Sequence, residues 1–212
     1  MLVSRQKTTV MHISTADMEK RRSPQDLRQF AESVRTAVGA DPAEFELGMR
    51  RRGPYKEFID EFLPLSHYAV SQYPPTYTIQ PVLGNQGFDA IVYDDSGNEF
   101  ERLELTRPHD GPEAVENAKR LVATGMGKVR EPCTELDSLF PFVHATCQAK
   151  ALKDYSDCTL VVVIAAIAPI QGHDKNFDAK LHAMAKELST IPFKAKRVVL
   201  FNPPSRVLPI DG

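Results

Sequence analysis

The stretch GFDAIVYDDSGNEFERLELTRPHDG, residues 87 to 111, decides how the chain is read. Two runs of alternating apolar residues, FDAIVYD and EFERLELTR, flank DDSGN, a cluster of turn-forming residues, so the stretch reads as a hairpin. Each strand carries one acid among apolar neighbours, Asp89 or Glu104. Side chains alternate along a strand, which puts Phe100, Arg102, Glu104 and Thr106 on one face and Leu103 and Leu105 on the other. A hairpin with a short turn then brings Asp89 close to Glu104. Two neighbouring carboxylates repel and desolvate one another, a cost that Mg²⁺ or Mn²⁺ would relieve. Such an ion polarises a phosphodiester and activates water. The plainer reading is a turn aspartate and a solvated glutamate paired with Arg102 or Arg107.

Outward from the hairpin, TYTIQPVL supplies a third strand on its N-terminal side, and the three predict an antiparallel meander. Before it, GPYKEFIDEFLPLSHYAVSQYPP reads as a helix with an apolar stripe at Phe58, Ile59, Phe62 and Leu63, with Glu57 and Glu61 sharing another face and Pro64 bending it. Earlier still, SPQDLRQFAESVRTAVG has an N-cap at Ser23, proline at N1 and a stopping glycine at Gly39. DPAEFELGMRRRG predicts a shorter helix. Beyond the hairpin come the helix GPEAVENAKRLVATG, a helix in DSLFPFVHATCQAKALKDY interrupted at Pro141, and TLVVVIAAIAPI as a strand buried on both faces. FDAKLHAMAKELSTI is the last helix and KRVVLFNPP the last strand. The order is α-βββ-α-α-β-α-β, an α/β fold with residues 1 to 53 as a helical N-terminal extension and 54 to 212 as the core.

A chain of 212 residues with 42% hydrophobic and 25% charged residues suits a soluble globular protein. Its formal charge of −2 lacks the global basic signature of many nucleic-acid binders but leaves room for a local basic groove. Cys133, Cys147 and Cys158 have no metal-ligand spacing, and their odd number points to a reducing, cytoplasmic setting. MLVSRQKTTVMHIS has no secretory pattern, and the longest apolar run, LVVVIAAIAPI, falls short of the ~20 residues that span a bilayer.

A helix with glutamates, a meander with Asp89 at the start of its second strand and Glu104 in its third, then a helix and a buried strand, resembles the restriction-endonuclease-like PD-(D/E)XK superfamily. The likeness covers roughly residues 54 to 201. It implies a mixed β-sheet flanked by helices and a Mg²⁺- or Mn²⁺-dependent nuclease acting on DNA in preference to RNA. Asp89 and Glu104 would hold the metal, with the Leu105 carbonyl and the first-helix acid Glu61 as further ligands. The family's lysine would stand at position 106, where this chain has Thr106. A threonine supplies no positive charge to a transition state. In HATCQAKALKDY, Gln148 and Tyr155 resemble the Gln and Tyr of RecB-type members, and Lys150 is the candidate for the missing charge. An ordinary solvated face of Lys150, Lys153 and Asp154 is the alternative.

Three function classes stay open. The first is the nuclease, with Asp89, Glu104, Lys150 and Gln148 in the catalytic set. The second is a catalytically inactive relative that binds nucleic acid or protein, favoured by Thr106. The third is an interaction protein forming a homodimer through the stripe Leu27, Phe30, Val34 and Val38. The pairs His109-Asp110 and His173-Asp174 read as loops rather than a metal phosphohydrolase scaffold. TGMGKV reads as a helix C-cap, and MRRRG at 49 to 53 as a solvated helix end or a phosphate contact.

Overall fold

The structure, a computed structural model, describes residues 13–84, 87–108, 111–126, 132–164 and 175–210. Both His-Asp pairs and the end of the apolar run after Ile164 lie outside the described residues. Six strands form one sheet in chain order: β1 (Thr78–Pro81), β2 (Ala90–Tyr93), β3 (Glu99–Thr106), β4 (Asp154–Val163), β5 (Lys194–Asn202) and β6 (Arg206–Pro209). The first three pair antiparallel, as the alternation predicts, while β3–β4 and β4–β5 are parallel and β5–β6 is antiparallel. The chain is thus α/β with a mixed sheet flanked by helices. Sequence reading stopped at KRVVLFNPP and missed β6. The two prolines read as a stop, and four residues are too few for a period to show.

Helices cover both sheet faces. On one lie α1 (Thr15–Met18), α2 (Pro24–Ala40), α3 (Pro42–Met49), α4 (Pro54–Glu57) and α5 (Leu63–Gln72); α6 (Gly111–Thr124) follows the meander; α7 (Pro132–Ala151) and α8 (Lys175–Leu188) cover the other face. Ser23 caps α2, its Oγ accepting the Asp26 N–H at 3.2 Å. The helix runs through Gly39 to Ala40, because the break is set by Asp41, whose Oδ1 accepts the N–H groups of Ala43 and Glu44 to start α3. Gly125, at φ 69°, ends α6 with its N–H on the Leu121 carbonyl, in agreement with the C-cap reading of TGMGKV.

Two helices depart from expectation at proline. Between α4 and α5 the chain makes a π turn over Phe58–Phe62, where the Leu63 N–H reaches back to the Phe58 carbonyl. Pro64 has no N–H for the normal step, so the helix widens ahead of it where a bend was expected. Pro141, expected to interrupt α7, lies inside a continuous helix. Buried Leu136, Val143 and Cys147 anchor that helix on both sides, and their packing outweighs one lost backbone bond.

The strands have two apolar faces with opposite partners. Val161, Val163, Val199 and Phe201 join Leu103 and Leu105 in the cluster with Leu27, Val34, Phe62 and Tyr68. Leu160, Val162, Val198 and Leu200 join the cluster with Val143, Cys147 and Leu181. The stripe of α2 is spent inside the chain: Leu27 and Val34 are buried, and Phe30 and Val38 pack on them. Among the described residues no helix is long and apolar enough to cross a membrane.

Strand β4 lies between two parallel neighbours, and Val162 is fully buried. Val162→Asp is therefore expected to abolish folding, because the carboxylate has no partner there and carries a desolvation cost of several kcal/mol. The check is soluble yield and a cooperative thermal melt, both of which should be lost.

Candidate active site

The β2–β3 register pairs Ala90 with Leu103 and carries the chain just before it alongside the end of β3. Asp89 donates its backbone N–H to the Leu103 carbonyl at 2.7 Å, and its Oδ2 accepts the Leu105 N–H at 2.6 Å. The side chain is therefore clamped onto β3 beside Glu104. Glu104, only 8% exposed, pairs with Leu160 in parallel register and so faces the α7 side. Near the end of α7, Lys150 sends its Nζ to Glu104 Oε1 at 2.5 Å. The Tyr155 hydroxyl completes a triangle, 3.3 Å from both Lys150 Nζ and Glu104 Oε1.

The electrostatics of this group are unbalanced. Burial, followed by the charge of Glu104, pushes the Asp89 carboxyl up to about 7, even though the Leu105 N–H and the Lys150 charge pull it down. Glu61, in the π turn, is also raised, first by burial and then by the charges of Glu57 and Asp60, with Glu104 contributing. No hydrogen-bond partner among the described residues reaches its buried Oε2. Burial works against the Lys150 ammonium, but the hydrogen bond and charge of Glu104 together outweigh it and hold its pKa above the ordinary lysine value. Lys150, with Lys56 acting on Glu61, thus faces the three acids Asp89, Glu104 and Glu61.

That surplus of negative charge fits a divalent cation, although among the described residues no three His, Cys, Asp or Glu side chains already form a metal-holding group. A pair suffices for Mg²⁺, which keeps several waters and binds through one or two carboxylates plus substrate phosphates. Asp89 and Glu104 are the two carboxylates that would serve, and Glu61 is in charge interaction with both.

Other predicted residues fall in different places. Thr106 is buried and pairs with Val162, and Leu105 gives its N–H to Asp89. Gln148 is exposed, two residues and so about 200° around α7 from Lys150, and is not brought to the group. Tyr155 is not on α7 as the sequence suggested: the helix stops at Ala151 and Tyr155 belongs to β4. It still reaches Glu104 because the β4–β5 register slips between Tyr155 and Thr159, which breaks the strict alternation.

Phe100, expected on the face of Glu104, is displaced as well. The register passes from Val92–Glu101 to Tyr93–Glu99, leaving Phe100 as the extra residue of a bulge, with its ring edge-on to Tyr77 at 5.2 Å. The sequence reading also passed over Glu101, which is buried on the opposite face from Glu104. There it accepts from Thr159 Oγ1 at 2.6 Å and from the Tyr73 hydroxyl, with Arg197 3.8 Å away. The available signal was its alternation with Leu103 and Leu105 in EFERLELT.

A scan against protein-family models finds no matching family, and searches of the curated proteins and of the solved structures find no match. The functional reading rests on the residues themselves.

Because the folded-state pKa of Asp89 is raised, the folded protein holds a proton there that the unfolded chain, near 3.8, has lost. The associated stability is fully present below pH 4 and drains away as pH rises to about 7. Asp89→Asn should consequently melt at a higher temperature than the parent at pH 8, with the advantage shrinking toward pH 5. Calorimetry at both pH values checks this.

Proposed function

We propose that the chain is a metal-dependent nuclease of the restriction-endonuclease-like PD-(D/E)XK kind, cleaving DNA phosphodiesters. The observation that carries the reading is Lys150: its ammonium lies on Glu104, beside the strand-borne Asp89, although it comes from a helix rather than from position 106. The order of helix, meander, helix and parallel strand supports the same reading. Asp89 and Glu104 would hold the cation, with Leu105 O and Glu61 as further ligands. When bound, the cation supplies Lewis-acid polarisation of the phosphodiester and a water of lowered pKa. Lys150 places a positive charge where a phosphoryl oxygen gains negative charge, and Tyr155 holds the Lys150 and Glu104 side chains in register. The buried thiols Cys147 and Cys158 suit a reducing compartment such as the cytoplasm.

The second reading, an inactive binding module on the same scaffold, is favoured by Thr106 at the lysine position and by the direct closure of Lys150 on Glu104. Cleavage of plasmid and single-stranded DNA with Mg²⁺ or Mn²⁺ separates the two. Under the nuclease reading, Glu104→Ala and Lys150→Ala each lower the rate by ~10²-fold or more, the scale of losing one electrostatic stabiliser. Lys153→Ala, altering an exposed turn residue, leaves it unchanged. Absence of cleavage by the parent over a panel of metals and nucleic acids would favour the module.

Metal binding carries its own signature. Since Asp89 must lose its proton to bind a cation, Mn²⁺ affinity should rise up to ~10-fold per pH unit below about 7 and flatten above it. Isothermal titration between pH 5.5 and 8.5 measures the slope.

A further inference from the structure

Asp89 and Glu104 each enter the group with one carboxylate oxygen already engaged. Asp89 Oδ2 accepts the Leu105 N–H at 2.6 Å, and the Asp89 backbone N–H on the Leu103 carbonyl at 2.7 Å fixes the residue to the same strand. Glu104 Oε1 accepts from Lys150 Nζ at 2.5 Å and from the Tyr155 hydroxyl at 3.3 Å. A carboxylate oxygen has a pair of lone-pair directions, and these donors use both of them on Oε1.

The donors on Oε1 are themselves held. Lys150 Nζ also donates to the Tyr155 hydroxyl at 3.3 Å and lies 5.4 Å from the centre of the Tyr155 ring. Tyr155 is fixed in β4 and buried. The Lys150 and Glu104 side chains are 18% and 11% exposed, so little water competes for the bond between them.

These contacts leave a cation one oxygen from each acid, Asp89 Oδ1 and Glu104 Oε2. Carboxylates restricted in this way bind through single oxygens and do not chelate. Mg²⁺ is suited to that arrangement, because it takes near-octahedral ligands at ~2.1 Å, keeps several waters and needs only one or two carboxylates. Ca²⁺ gathers about six to eight oxygens at ~2.3–2.6 Å, often through carboxylates that chelate with both oxygens. Among the described residues no group of three His, Cys, Asp or Glu side chains is placed to make up that number.

We infer that Lys150 and Tyr155 are selectivity determinants: by occupying Glu104 Oε1 they confine Glu104 to single-oxygen ligation and set the site for a small octahedral cation, Mg²⁺ or Mn²⁺, against Ca²⁺. The inference rests on the metal-binding part of the nuclease reading and goes beyond it to which cation is taken. Tyr155 acts as a positioning residue, through Lys150 and Glu104.

The experiment follows the electron paramagnetic resonance signal of Mn²⁺ titrated with the full chain at pH 8, with Mg²⁺ or Ca²⁺ added as competitor. Mg²⁺ should displace Mn²⁺ from the parent at a lower concentration than Ca²⁺ does. Lys150→Met frees Oε1 and removes a positive charge, so both competitors should gain, with Ca²⁺ gaining ~10-fold more than Mg²⁺ as chelation by Glu104 becomes possible. Tyr155→Phe changes no charge and should shift the ratio in the same direction by a smaller factor. A gain in Ca²⁺ affinity cannot come from a chain that has lost the site. Equal displacement by Mg²⁺ and Ca²⁺ in the parent overturns the selectivity role and leaves metal binding standing. An equal gain for both ions in Lys150→Met does the same, since it reports only the lost charge. Failure of the parent to bind Mn²⁺ overturns the nuclease reading as well.

Discussion

Five residues of β3, Arg102 to Thr106, lie in parallel register with Cys158 to Val162 of β4, and the polar groups on both faces take their positions from that pairing. Burial on both sides of β4 is what holds the register. Val161 belongs to one apolar cluster and Val162 to the other, so a slip of one residue would exchange the two sets and expose each to the wrong helices. Held in place, the pairing aims Glu104 at α7 and Glu101 at α5 and its neighbours. Helix α7 needs its own anchors to meet Glu104, and Val143 and Cys147 provide them about two turns and one turn before Lys150.

The two buried glutamates of β3, Glu101 and Glu104, are held in different ways. Glu101 is closed by the hydroxyls of Thr159 and Tyr73, with Arg197, itself bonded to the Tyr68 hydroxyl at 3.0 Å, standing near. Its hydrogen-bonding capacity is spent within the fold, as burial of a carboxylate requires. Glu104 has Lys150 and Tyr155, but its neighbours are not at rest: Asp89 is pushed up to about 7, and one oxygen of Glu61 has no partner among the described residues. Burial and mutual repulsion, rather than closed hydrogen bonding, set the electrostatics of this group. The π turn contributes to it, since the helix that widens ahead of Pro64 carries both Glu61 and the Asp60 that gathers Arg51 and Arg107.

The meander, the proximity of Asp89 to Glu104 and the burial of β4 were legible in the chain because each depends on a period-two pattern or on a short turn. The Ser23 cap was legible for a similar reason, since a cap acts within three residues. Lys150 could be nominated from the chain, but its contact with Glu104 spans 46 positions and exists only when α7 is laid across β4. Tyr155, Phe100 and Glu101 were misjudged or passed over because bulges shift the alternation at the first two, and because the third is explained only by donors distant in sequence. The Arg51–Asp60–Arg107 trio draws on three segments that no local pattern links. Local stereochemistry thus determined the strands, their turn and the acids on them, since those forces act over a few residues. Which cations and hydroxyls meet those acids was decided by tertiary packing, because the energy of a buried charge depends on groups that only the folded chain brings within a few ångströms.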